Sequence, residues 1–461
     1  MQVKLAGYNI DKYLIDKLGA EVSATPEVIS AAYARISRSS KSVSDLRAEA
    51  RKDVQKARKS NQNIVFEMGH SSIAEHAVFN FDIIGISRYL AEFIQRSRLA
   101  SFTEKSQRYV TLEGDYVLPF EIEQSEYKND FIKLSNQAFK LYYHLFLELQ
   151  EHKAKEQSWS SQKDLEGAVK EDARYILPLC TKTQMGMTIN ARSLELLLRR
   201  LASLPLQEAR ELYEMLYKEV SDITPSIIRY TNADEFSYKR LDWKVHPPHK
   251  NAFHNEVTLI NCPLYPDDTI LAVLMFEQLG GTYSDALATV VKKSPERKKA
   301  LWENVFADIK VWHKMPRAFE MVSFTFELTM SASCFAQFKR HRLCTIIKAP
   351  YSVSDGFVIP LSMKDAKQLI RYTDFLKETE LLADKLKAVD THIYPYILTN
   401  AHRVRILAKM NLRELYHLVR LRSDKHAQWE IQDISNSIKA IVKQHCPMAA
   451  KWLMGKSEFS E

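Results

Sequence analysis

At 461 residues, 46% of them apolar and 26% charged, the chain is long enough for two or three domains that each bury a core. Its 11 glycines form no G-x-G-x-x-G or P-loop pattern and its five scattered cysteines no C-x-x-C pair, which argues against a dinucleotide-binding fold, a P-loop, a disulfide framework or a metal cluster. A net charge of +8 suits anionic substrates but is too dispersed to indicate nucleic acid; with neither a signal-peptide core nor a transmembrane run, the sequence reads as a cytoplasmic protein with no membrane partner.

In chain order, residues 3–6 predict a short strand and 26–37 a helix from their apolar spacing. A charged helical stretch at 44–60 follows, and 63–76 leads into an alternating apolar run at 78–84, read as a strand. The next helix, 87–98, delivers arginines at its end. A long amphipathic helix is predicted at 123–151, a polar loop at 152–163, and residues 165–174 lead into I-L-P-L at 176–179. Residues 190–201 predict an Asn-started helix whose leucine stripe is core packing. The stretch 241–255, rich in His, Pro and Lys, is the linker candidate.

After it the order of elements begins again. Residues 256–260 repeat the first strand and 268–279 the first helix, and F-T-F near Phe324 repeats F-N-F near Phe79. Arg340 follows Phe324 by 16 residues, where Arg96 follows Phe79 by 17. A second Asn-started helix opens at Asn411, with Glu414 placed for a capping box. A period of about 220–250 residues is too long for a solenoid. It predicts tandem domains at 1–245 and 256–461, joined by 246–255.

Residues 96–108, R-S-R-L-A-S-F-T-E-K-S-Q-R, set Arg96, Arg98, Lys105 and Arg108 among Ser101, Thr103, Glu104 and Ser106. Guanidinium forks grip phosphate at two points, and hydroxyls complete such a shell. Together with G-H-S-S-I-A-E-H-A-V-F-N-F at 69–81, this stretch resembles the signature of the flavin-dependent thymidylate synthases, the ThyX family. Ser97 stands where that family has His, and Thr103 where it usually has Asn. The block at 411–432 is similar to the family's late helix, and the resemblance spans nearly all of both halves.

The resemblance implies an α+β fold: two tandem ThyX-like domains, each a central, mostly antiparallel sheet flanked by helices, forming an intrachain pseudo-dimer. In the family, two subunits contribute different residue sets to one nucleotide site. Here the first half keeps Glu104, Ser106, Gln107, Arg108 and Arg174 but has Phe93, Ser97 and Leu201 at positions of the other set. The second half keeps Gln337, Arg340, His341, Arg342 and Arg422, with Lys348, Pro350, Ser352 and Pro395 where the first set should be. Random decay should not sort losses this way, so the expectation is one composite site per chain and a second, degenerate one.

By the same resemblance the site residues are the catalytic Arg422, which favours ionisation of the uracil, and substrate-binding Glu104, Ser106, Gln107, Arg108, Arg174, Gln337, Arg340 and Arg422. The cofactor-binding set is Ser72, Glu104, Arg340, His341, Arg342, Asn411, Leu412, Arg413, His417 and His426, with no metal. The implied reaction converts dUMP to dTMP, with FAD as cofactor and NADPH and methylenetetrahydrofolate as co-substrates. No cysteine stands in a cationic, helix-starting context that would activate a thiol, which fits a flavin route. The implied assembly is a homodimer imitating the family's tetramer. Two alternatives stay open: a relative acting on another pyrimidine nucleotide, and a non-catalytic nucleotide-binding or regulatory protein. In isolation, Arg413 reads as an ordinary helix-surface arginine.

Overall fold

In a computed structural model of the chain, which describes residues 1–10, 16, 25–35, 39–112, 114–156, 159–238 and 256–460, two four-stranded antiparallel sheets share one topology. The first contains β1 (Gln2–Tyr8), β2 (Val78–Ser87), β3 (Ala100–Glu104) and β4 (Lys182–Asn190), in the order β1-β2-β4-β3. The second contains β5 (Val257–Asn261), β6 (Ser323–Ser331), β7 (Thr345–Lys348) and β8 (Arg403–Asn411), in the order β5-β6-β8-β7. The linker expected at 241–255 lies outside the described residues.

The repeat extends to backbone irregularities. Both edge strands slip register at the same place: Leu5 pairs with Phe81 and Gly7 with Asn80, as Leu259 pairs with Phe326 and Asn261 with Thr325. The central strands differ by one residue. β2 carries a bulge between Ile84 and Ile86, where Gly85 takes a φ of 77°, whereas β6 pairs with β8 without interruption. That extra residue explains the spacing of 17 against 16. A bulge adds one residue to a strand, and only glycine adopts this φ without strain. Phe79, Phe81 and Ile83 are buried before the bulge, and Phe324, Phe326, Leu328 and Met330 are buried along β6.

Behind each sheet lies an asparagine-capped helix. The Asn190 side chain accepts from Ser193 N–H at 2.8 Å at the start of the Ala191–Ala202 helix, which buries Leu194, Leu197, Leu198 and Leu201. Asn411 and Glu414 form the full capping box of the Leu412–Arg422 helix, with bonds of 2.8 and 3.0 Å. The long helix runs Lys128–Glu156, so residues 152–156, read as loop, are helical; Lys153 pairs with Asp172 at 2.8 Å and anchors this last turn.

Each central strand hands its chain to a short helix through a serine. Ser87 caps Arg88–Ile94, and its N–H and hydroxyl both reach the Glu208 carboxylate at 2.7 Å. Ser331 caps Ala332–Phe338 and meets Glu430 in the same two-point way. Both carboxylates stand at the start of a helix, Gln207–Ser221 or Trp429–His445, where the helix dipole favours negative charge.

Two compact units organise these elements: Met1–Pro247 with Leu361–Thr399, and Pro248–Pro360 with Asn400–Glu461. Residues 361–399 of the second sequence repeat therefore belong to the first unit. There Leu179 N–H donates to Leu398 O and Cys180 N–H to Tyr396 O, both at 2.8 Å, joining the two corresponding segments of the repeats. The Tyr396 hydroxyl donates to Glu208 at 2.7 Å, and burial raises the Glu208 carboxyl above the ordinary range. Among the described residues, no helix is long and apolar enough to cross a membrane.

Glu208→Ala orphans three buried donors: the Ser87 amide, the Ser87 hydroxyl and the Tyr396 hydroxyl. At about 1–3 kcal/mol for each unsatisfied group, a loss of at least about 3 kcal/mol is expected. Urea unfolding of the full chain checks it. A loss near that of an exposed-site control would show that the clamp contributes little.

Candidate functional site

In the first unit, β3 leads into a turn that carries most of the expected residues. Its ladder to β4 continues one step beyond Glu104, with Lys105 N–H donating to Gln184 O at 2.9 Å. The Ser106 hydroxyl then accepts from Arg108 N–H at 3.2 Å, and its carbonyl accepts from Val110 N–H at 3.2 Å. This compact turn sets the Arg108 guanidinium 2.6 Å from the Glu171 carboxylate, on the last turn of the Gln162–Ala173 helix.

Arg174 caps that helix and donates from Nε to the Glu171 carbonyl at 3.2 Å. Burial pushes the Glu171 carboxyl up, against the opposing pull of Arg108 and Arg174, and burial also lowers Arg174. A guanidinium remains charged under such a shift. Arg108, Arg174 and Glu171 thus form one coupled, largely desolvated group.

Glu104 faces a different set of donors. It accepts from Arg88, from Gln95 Nε2 at 2.8 Å and from Thr183 Oγ1 at 3.0 Å. Its side chain is only 6% exposed, so its hydrogen-bonding capacity is directed into the protein. Gln107 is buried and Ser106 half-buried. Ser72 lies exposed on the Ser71–His76 turn.

In the second unit, the Ala332–Phe338 helix and the turn after it present Gln337, Arg340, His341 and Arg342. Arg422, ending the Leu412–Arg422 helix, donates from Nε to His341 Nε2 at 3.1 Å and from a terminal nitrogen to the Gln337 carbonyl at 3.3 Å. His341 Nε2 must therefore be an acceptor, leaving the ring proton on Nδ1. Burial first, then the charges of Arg422 and His417, push the His341 imidazole down to about 3. His417 stands edge-on to it, ring centres 5.6 Å apart, and is also lowered, chiefly by burial.

Arg340 is exposed, while Gln337 is buried with an Nε2 that has no hydrogen-bond partner among the described residues. Asn411 caps its helix, and Leu412 is fully buried, leaving no side-chain surface for a ligand. Arg413 bonds Met315 O and the Glu320 carboxylate, each at 2.7 Å, as Arg192 pairs with Glu75 at 2.6 Å in the first unit. The exposed His426 sits in a turn pinned by Asp424, which accepts from His426 N–H at 3.1 Å and the Ser457 hydroxyl at 2.7 Å.

The structure thus brings Arg108 and Arg174 together in one unit and Gln337, His341 and Arg422 together in the other. Sequence reasoning missed Arg88, Gln95, Thr183 and Glu171. Only Glu171 carried a signal, three residues before Arg174 on a helical stretch, where side chains share a face.

Fold and site together define a tandem α+β duplication whose halves carry different guanidinium clusters. A family profile described as "Thymidylate synthase complementing protein" matches residues 20–226 and 274–448. The "UPF0159 protein Ta1429" of Thermoplasma acidophilum is 26% identical over 435 residues, covering 82% of this chain and 86% of its own. A UPF0159 protein of Chlamydia muridarum is 23% identical, with coverage of 85% and 80%. The flavin-dependent thymidylate synthase of Clostridium tetani is 32% identical over 172 residues, 37% of this chain and 68% of that enzyme. The chain belongs to the ThyX family, as a tandem duplication of the family's domain.

The His341 shift makes stability depend on pH. An unfolded histidine takes a proton near pH 6.5, whereas folded His341 resists until about 3. Its contribution is complete above pH 6.5 and is lost as pH falls toward 3, at up to about 1.4 kcal/mol per pH unit. The melting temperature of wild type should therefore fall more steeply over this window than that of His341→Gln. Parallel curves would contradict the assignment.

Proposed function

We propose that the chain is a flavin-dependent thymidylate synthase that converts dUMP to dTMP, using methylenetetrahydrofolate as carbon donor and NADPH or NADH as reductant. The observation that carries this reading is the sorting of functional groups between repeats. Arg108 and Arg174 have Ser352 and Pro395 as counterparts, while Gln337, His341 and Arg422 have Phe93, Ser97 and Leu201. Each repeat keeps what the other has lost, and the retained groups cluster within their own units. Such sorting supports one composite nucleotide site per chain.

In this reading Arg108 and Arg174 hold the nucleotide phosphate, with Ser106 and Gln107 orienting the nucleotide and Gln337 and Arg340 contacting its ring. The Arg108–Glu171 contact must open to admit the phosphate. Uracil C5 becomes nucleophilic when N3–H ionises, and Arg422 stabilises that anion as the catalytic residue. Neutral His341 accepts from Arg422 without neutralising its charge. This fixes the guanidinium.

The fit of a flavin rests on the donor set: the exposed guanidinium of Arg340, with His341 and Arg342 beside it in the same turn. These groups suit a pyrophosphate and a ring edge rich in acceptors. Ser72, Asn411, Arg413, His417 and His426 extend the proposed cofactor set, with Leu412 able to contribute only backbone. FAD, when bound and reduced, would supply the two electrons that convert the transferred methylene to a methyl group. The reading also takes the protein to be cytoplasmic and its assembly to be a homodimer.

Deoxythymidylate formation from dUMP, methylenetetrahydrofolate and NADPH, with FAD added, tests the proposal. Wild type should be active, and Arg108→Ala and Arg422→Ala should each lose at least about 100-fold. An equal mixture of the two variants should stay inactive if both residues serve one chain's site; recovery would mean that the site forms between chains. Absence of product despite tight dUMP binding would point to another pyrimidine nucleotide as substrate.

A further inference from the structure

Arg88 belongs to no motif of the sequence, yet it is buried against one of the expected nucleotide residues. We propose that Arg88 is a positioning residue of the nucleotide site: with Gln95 and Thr183 it locks the Glu104 carboxylate, and so fixes the turn that projects Ser106, Gln107 and Arg108. The inference rests on the nucleotide reading above and changes the part given to Glu104. Glu104 becomes the internal anchor of the turn rather than a ligand contact.

Three observations carry it. First, the ion pair is withdrawn from solvent, with the Arg88 and Glu104 side chains 9% and 6% exposed. Gln95 and Thr183 bring further donors to the same carboxylate, at 2.8 and 3.0 Å. A buried carboxylate so surrounded has little freedom to rotate toward a ligand.

Second, Arg88 is itself firmly placed. It follows Ser87, whose hydroxyl and N–H are held by Glu208, and its own N–H donates to Thr181 O at 3.0 Å. Glu104, at the other end of the ion pair, is the last residue of β3. The two residues after it are the final ladder position, Lys105, and the turn-forming Ser106. A displacement of Glu104 is therefore passed directly to Arg108.

Third, the repeat supplies an internal control. At the positions of Arg88, Gln95, Glu104 and Thr183 the second unit has Ala332, Lys339, Lys348 and Val404. All four members are replaced together. Lys348 instead lies 3.7 Å over the Tyr351 ring, and that repeat has Pro350 and Ser352 in place of Ser106 and Arg108. The cluster is present where the turn carries phosphate-binding groups and absent where it does not.

The test uses the full chain with Arg88→Met, Arg88→Lys, Glu104→Gln and the Arg88→Met/Glu104→Gln double variant. Hydrogen exchange at amides 105–110 reads the turn directly, without nucleotide. Arg88→Met should speed exchange there at least about 10-fold, with β4 unchanged. Calorimetry with dUMP reads the site. Arg88→Met should weaken binding by about 100-fold, the cost of a misplaced binding group, and Arg88→Lys should recover part of the loss. Adding Glu104→Gln to Arg88→Met should cost nothing further, because the two act as one unit. Unchanged exchange at 105–110, or additive losses, would overturn the proposal. Failure of wild type to bind dUMP would sink the nucleotide reading alone, and the exchange result would still decide the role of Arg88.

Discussion

A buried carboxylate clamping the end of a central strand underlies both halves of this protein. Glu208 holds Ser87 and Glu430 holds Ser331, each through backbone and hydroxyl at once. The clamp fixes where the strand stops and the helix begins, and every later residue inherits that position. Arg88 and Gln95 descend from one clamp; Gln337 and His341 descend from the other. Burying a carboxylate is costly, and the cost is offset only because each oxygen is met by aligned donors. The first unit adds the Tyr396 hydroxyl, so a residue from the second sequence repeat completes the first unit's clamp.

The two guanidinium clusters hold a cation in different ways. Arg108 is balanced by Glu171, a carboxylate that burial already makes reluctant to ionise. Arg422 rests against a neutral imidazole and a carbonyl, partners that orient it without cancelling its charge. Under the proposed function, a guanidinium held in one orientation is what electrostatic stabilisation of a developing anion requires.

Much of the fold was legible because its signals are local. The asparagine caps at Asn190 and Asn411, the alternation in β2, and the repeat of F-N-F as F-T-F depend on neighbours within a few residues. The difference of one residue between repeats was visible as a number, but only strand pairing could assign it to a bulge at Gly85. The partners of Glu104 were not legible. Arg88 and Thr183 lie 16 and 79 residues away, and an isolated arginine or threonine announces no such role. Nor could the sequence reveal that 361–399 joins the first unit, since repeat boundaries follow gene duplication while compact units follow contacts.

That last feature has a temporal meaning during synthesis. Leu361 follows Pro247 by more than a hundred residues, so the first unit waits for chain not yet made. Tyr396 follows Pro247 by 149 residues (396 − 247), and at about 5–20 residues per second the delay before it is made is roughly 7 to 30 seconds. Until then Glu208 lacks its tyrosine, and the backbone groups of Leu179 and Cys180 lack the carbonyls that they meet in the finished protein. The nascent chain therefore carries two unmet backbone N–H groups in a turn and a buried carboxylate short of one donor. Incomplete chains with such unmet groups associate with one another more readily than the finished protein.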